Sequence, residues 1–271
     1  MGIAENITED WHAALAALAW QLDLGATETI ADAPVNRYEL VAPAVKARPE
    51  PAVAPRAISG SQSSAVAGIT AAAASEISAV LAAKAASIPE LQAALASFDD
   101  CELKKGARNL VFAAGNPAAR VMIIGEAPNR DEEQAGIPFA GRAGALLDKM
   151  FAAIGMSRDA ADRAQALYLT TALPWRTPQD RDPSSAEINL LRPFLARHIA
   201  LADPEIIVVM GNAPLQMVLE SMGIQRARGG WGTAFGKPVL PMLHPARLLQ
   251  SAAAKQDAWA DLLALQSRLQ G

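Results

Sequence analysis

Four short apolar runs constrain this chain more than any other feature. They are "RVMIIGEA" (Arg120 to Ala127), "LYLTTAL" (Leu167 to Leu173), "EIIVVMG" (Glu205 to Gly211) and "PVLPMLH" (Pro238 to His244). Each is followed by loop signals and then by a helical pattern, roughly Gly141 to Ile154, Ser184 to Leu201, Asn212 to Met222, and one or two pieces from Pro245 to Leu269. A strand that is apolar without alternation has no face to offer water. Strands of that kind alternating with helices make a parallel sheet covered on both sides. The predicted fold is α/β, a three-layer αβα sandwich around a central four-stranded parallel sheet, spanning residues 88–271. Its first helix is read from "SIPELQAALASF", with Ser87 as cap and Pro89 in the first turn.

The N-terminal third reads differently. "TEDWHAALAALAWQLDLGA" has Thr8 as N-cap and Gly25 as stop, and it places Trp11, Leu15, Leu18 and Leu22 on one face. Residues 1–31 are expected to hold this helix, docked on the domain or on an unknown protein partner. Residues 32–87 read as a Pro/Ala-rich, disordered linker with a weak Ala-rich helix that has little to bury. Acids stand where a signal peptide needs a basic start, and no apolar run is long enough to span a bilayer. A soluble, cytoplasmic, monomeric protein without membrane contact is therefore expected.

The net charge of −4 does not announce a nucleic-acid protein, so any DNA surface needs local clustering of cations. One cysteine, Cys101, rules out internal disulfides and any all-cysteine metal site within one chain. HExxH, Walker and GxGxxG motifs are absent.

In an open parallel sheet, ligands bind beyond the carboxyl ends of the strands. The unusual polar clusters lie there: "GEAPNRDEEQAG", "TTALPWRTPQDRDP", "GNAP" and "HPARLL". Gly125 permits a tight turn, and Glu126 stands where a carboxylate can orient or deprotonate a water. Glu132 and Glu133 extend the acidic loop. Phe139 lies among small residues, either as a core ring or as an exposed one able to stack on a flat base. His244 ends the last strand and can donate to a developing anion. His12 and His198 fall within helical patterns and read as structural. Arg176, Arg181, Arg226, Arg228 and Arg247 would give the rim about five positive charges, a footprint for phosphate.

Taken together, "VMIIGEAP…EE…GIPFAGRAGALLDKM", "LYLTTALPWR…DRDP…E", "RPFLARHIALADPEIIVVMGNAP", "RARGGW" and "MLHPARLL" resemble the family 4 uracil-DNA glycosylases, from about Ile88 to Leu269. The resemblance implies a base-excision repair enzyme that hydrolyses the N-glycosidic bond of a uracil flipped from DNA, single- or double-stranded. It implies catalytic roles for Glu126, Glu132 and His244. It also implies a base pocket formed by Gly125, Phe139, Thr171 and His244. The DNA contacts expected from the basic cluster itself are Arg176, Arg181, Arg228 and Arg247.

The family's motif departs here at several points. Asn129 stands for a glycine, Glu133 for an aspartate, Asp180 for an asparagine, and Thr171 for the asparagine that reads uracil's edge. The alternative implied is a catalytically weak or inactive DNA-binding paralogue, or a glycosylase for another deaminated base. The family's four-cysteine iron–sulfur cluster is expected to be lost: Phe98, Trp175 and Leu191 occupy ligand positions, leaving Cys101 alone, and one ligand in four does not hold a cluster. No cofactor or metal is expected. Purified protein should therefore be colourless and stay folded in chelator, and stoichiometric iron and sulfide in anaerobically prepared protein would overturn this.

Overall fold

The structure is a computed structural model that describes residues 63–270. In chain order its elements are α1 (Ser63–Lys84), α2 (Ile88–Ser97), α3 (Glu102–Gly106), β1 (Ala113–Gly115), β2 (Val121–Gly125), α4 (Arg130–Ala135) and α5 (Gly141–Ala152). There follow β3 (Leu167–Thr171), a 3-10 turn (Pro178–Asp180), α6 (Ser185–Ala202), β4 (Ile206–Met210), α7 (Asn212–Leu219) and α8 (Ile224–Ala227). The last elements are β5 (Gly232–Ala234), β6 (Lys237–Met242), α9 (Pro245–Gln250) and α10 (Ala252–Gln270). The helix expected within residues 1–31, and the linker as far as residue 62, lie outside the described residues.

The sheet order is β1-β3-β2-β4-β6-β5. The four strands read from the sequence form its parallel centre, β3-β2-β4-β6. Two three-residue strands, β1 and β5, add antiparallel edges on β3 and β6. "AAG" and "GTA" are too short to carry a pattern, which is why the expectation stopped at four. Strands β2, β3 and β4 are buried along their whole length. Successive side chains point to opposite faces. Val121, Ile123 and Val208 meet Leu147 and Phe151 of α5 and Leu262 and Leu265 of α10. Met122, Ile124, Ile207 and Val209 lie in the opposite core with Leu91 and Leu95 of α2, Leu191 and Leu195 of α6, and Leu215 of α7. The three layers follow from this alternation.

Parallel register aligns the carboxyl ends. Gly125 pairs with Thr171, and Met210 with Met242, while the Ala172 N–H donates to the Gly125 carbonyl at 2.8 Å. The four loops thus leave the sheet on one edge.

The Ala-rich helix expected near the end of residues 32–87 is α1, and what differs from expectation is that it buries a seam. Helix α1 runs 22 residues and packs on α6. Ser78, Ala82 and Ala85 are buried, and the Arg197 guanidinium of α6 donates twice to the Ala85 carbonyl, at 2.9 and 2.8 Å. Small side chains let two helices approach closely, so this contact needs no large apolar groups. Looking for large groups missed it. Ala82→Leu should overpack the seam and cost about 1–3 kcal/mol of stability in urea unfolding, whereas Ala83→Leu at the neighbouring exposed position should be close to neutral.

Candidate active site

Glu126 follows β2 directly, and its Oε1 accepts a hydrogen bond from the Asn212 N–H, at 3.0 Å, at the start of α7. Gly211 makes this possible. Its φ is 116°, and a methyl group there would overlap the Glu126 carboxylate. Burial raises the Glu126 pKa above the ordinary glutamate value, with the Asn212 N–H pulling the other way and Asp182 adding to the rise. The carboxylate is thus held at a helix N-terminus, where partial positive charge favours it. Gly211 and Asn212 were quoted in the sequence only as part of a loop. The signal available was a glycine between a buried strand and a helix start.

The next acid has a different task. Asn129 adopts φ −83°, which needs no glycine, and its side chain caps α4 by accepting from the Asp131 and Glu132 N–H groups. Glu132 completes the capping box: Oε2 accepts from the Asn129 N–H at 2.8 Å, and Oε1 accepts from the Phe139 N–H at 2.5 Å. Glu132 is 4% exposed. Both of its oxygens are engaged with backbone, so its role here is to hold the loop. It holds Phe139 in a left-handed conformation, φ 53°, unusual for a bulky residue and a mark of strain at functional sites. Arg158 fixes the same point from the other side, donating to the Pro138 and Phe139 carbonyls at 3.3 Å.

The Phe139 ring is not exposed. It is 2% accessible, leaves no room for a Cβ on Gly125, and stacks on His244 with centroids 5.5 Å apart. Gly125, Phe139 and His244 are therefore contiguous, with Thr171 beside Gly125 in the sheet. The Thr171 hydroxyl donates to the Val111 carbonyl at 3.3 Å and is buried.

His244 caps α9, its Nδ1 accepting from the Ala246 N–H at 3.3 Å. Burial lowers its pKa to about 4, so the imidazole is neutral at pH 7. With Nδ1 accepting, the proton of the neutral ring resides on Nε2, which is left to donate. Glu126, Asn129, Asp182, Asn212, Gln216 and His244 line one cavity of about 290 Å³.

Most of the arginines expected on the rim are paired with acids. Arg176 donates to both Asp180 oxygens, at 2.7 and 2.9 Å, and reaches Glu133 at 3.5 Å. Arg181 grips Glu187 with two bonds, at 2.9 and 2.6 Å. Arg228 is bound to Asp261 and to the Asp257 carbonyl, tying the end of α8 to α10. Arg247 is exposed on α9. Carboxylates neutralise most of the cations that were counted, because a sequence gives their number and not their partners. His198, read as structural, is buried and shares a 2.7 Å hydrogen bond with Tyr168.

The four positions at which the resemblance implies cluster ligands carry Phe98, Cys101, Trp175 and Leu191, all buried in one core cluster. Phe98 packs on Phe194, with ring centroids 5.4 Å apart. Burial raises the Cys101 pKa, which disfavours the thiolate that binds metal. This set does not fit an iron–sulfur cluster.

Comparison with known proteins bears on this geometry. Residues 112–263 match the family model described as the uracil DNA glycosylase superfamily. A type-4 uracil-DNA glycosylase of Archaeoglobus fulgidus is 33% identical over 172 residues, covering 59% of this chain and 82% of the relative. Those of Sulfurisphaera tokodaii and Saccharolobus solfataricus are 33% and 35% identical, over 59% and 55% of this chain and 74% and 71% of their own lengths. The matched span includes the whole sheet and each of the four loops that converge on Glu126 and His244, and the chain belongs to the uracil DNA glycosylase superfamily.

Proposed function

We propose that this DNA glycosylase, a hydrolase of N-glycosyl bonds, acts on uracil in DNA during base-excision repair, with Glu126 and His244 as its catalytic residues. The observation that carries the reading is that a fixed carboxylate and a neutral imidazole line the same cavity at the carboxyl edge of the sheet. Breaking the bond between uracil and deoxyribose leaves positive charge on the sugar and negative charge on the base. A site for this reaction must stabilise both signs at once. Glu126 lines the cavity, and in this reaction its carboxylate faces the sugar and orients the attacking water. The Nε2–H of His244 donates to the oxygen of the leaving base. Phe139, with its backbone held by Glu132, is buried against Gly125 and His244, so its ring supports the imidazole at the cavity instead of offering a free face to the base. None of these steps calls on a metal or a cluster.

A second reading, preference for another deaminated base, is favoured by Thr171. Its hydroxyl is committed to the Val111 carbonyl, so it has no proton to give to a base edge. Incubation with oligonucleotides carrying uracil, hypoxanthine or xanthine, followed by alkaline cleavage of abasic sites, tests both readings. Uracil as the preferred base supports the first, and hypoxanthine or xanthine the second.

Glu126 works as a carboxylate, so activity is present above its pKa and is lost as pH falls through it. Because burial raises that pKa, the acid limb of the pH–rate profile should lie above the ordinary glutamate value. Glu126→Gln should slow excision by about 10²- to 10⁴-fold and remove that limb. Gly211→Ala should also slow excision, by displacing the carboxylate, but should add little further loss in the Glu126→Gln background. Equal losses from Gly211→Ala in both backgrounds would show that position 211 does not act through Glu126.

A further inference from the structure

The 3-10 turn after β3 is built on two consecutive residues in the left-handed region, Gln179 at φ 57° and Asp180 at φ 54°. Such a conformation is costly for a residue with a side chain, least so for Asp and Asn. Its effect is to fold Asp180 back onto Arg176, four residues earlier, in a two-bond pairing at 2.7 and 2.9 Å. Two coplanar N–H groups on two carboxylate oxygens is the geometry by which a guanidinium also takes a phosphate. The Arg176 side chain is one-quarter exposed and that of Asp180 more than half exposed, and Asp180 lines the cavity that holds Glu126 and His244. The pair therefore sits at the mouth of the site and not in the core.

We propose that Asp180 is an affinity-setting residue: it occupies the phosphate-binding face of Arg176 and competes with the DNA backbone for it. The inference rests on the reading that this edge of the sheet holds DNA. For Arg176 to take a phosphate, the Asp180 carboxylate must be released to water, leaving a negative charge beside the strand. Glu133, 3.5 Å from Nη1, keeps the arginine in place during the exchange. A neutral residue at position 180 removes both the competitor and the repulsion. Asp182 offers an internal comparison, being exposed on the same loop and lining the same cavity. Its backbone carbonyl accepts from Arg181 at 3.0 Å, while its carboxylate takes no part in that bond.

The test is equilibrium binding of the full chain to a uracil-free fluorescent oligonucleotide across a salt series, which keeps binding separate from excision. Asp180→Asn preserves the left-handed turn and removes the charge, and Asp180→Gly does the same should the asparagine variant fail to fold. Either variant should bind about three- to tenfold more tightly at 0.1 M salt, with a log K against log salt slope steeper by about 0.9, the increment for one added phosphate contact on duplex DNA. Asp182→Asn should bring a smaller gain with the slope unchanged. In an Arg176→Ala background, Asp180→Asn should gain no more than Asp182→Asn does. Equal effects from Asp180→Asn and Asp182→Asn, or a full Asp180→Asn gain without Arg176, would overturn the inference while leaving DNA binding at this edge intact. Failure of wild type and variants alike to bind DNA even at low salt would overturn both.

Discussion

The carboxylate of Glu132 is the interaction on which the site loop depends. A buried carboxylate is unfavourable by several kcal/mol unless its oxygens are paired. Here each oxygen takes a backbone N–H, one from Asn129 and one from Phe139, so the same group fixes both ends of an eleven-residue excursion. Each such charge-assisted bond contributes about 1.5–3 kcal/mol. Together they offset the left-handed backbone of Phe139, and through Phe139 they set the ring that packs on Gly125 and His244. The acid that looked like a second catalytic group is better understood as the tie that lets the other residues meet.

The helix N-termini and the small residues complete that arrangement. Glu126 rests on α7 because Gly211 has no side chain, and the neutral His244 ring keeps its proton on Nε2 because Nδ1 accepts from Ala246. In each case a backbone N–H decides what a side chain can do. Acids line the cavity, and three of the arginines expected on its rim, Arg176, Arg181 and Arg228, are engaged with carboxylates.

How much of this was legible in the sequence depended on which property each feature used. Continuous apolar runs announced the parallel centre of the sheet, because burial on two faces leaves a compositional mark. The edge strands left none, and neither did the seam between α1 and α6, which is made by the smallness of Ser78, Ala82 and Ala85 and not by apolar bulk. Glu126 and His244 were singled out from their places at strand ends, a property of topology, and the structure brings both to one cavity. The engagement of Glu132 with backbone, and of Arg176, Arg181 and Arg228 with acids, depends on side-chain direction, which residue order does not encode locally. Asn129 looked like a departure and is explained by its extended φ and its capping role.

The state of His244 has a consequence for the catalytic cycle. A neutral ring whose Nδ1 accepts from backbone keeps its one proton on Nε2, where it can offer a hydrogen bond without transferring a proton. In the proposed reaction the base would then depart as an anion, while the proton of the attacking water would pass by way of Glu126 to solvent. His244 would thus end each turnover in the protonation state in which it began, and the acid–base bookkeeping of the cycle would fall on the carboxylate alone.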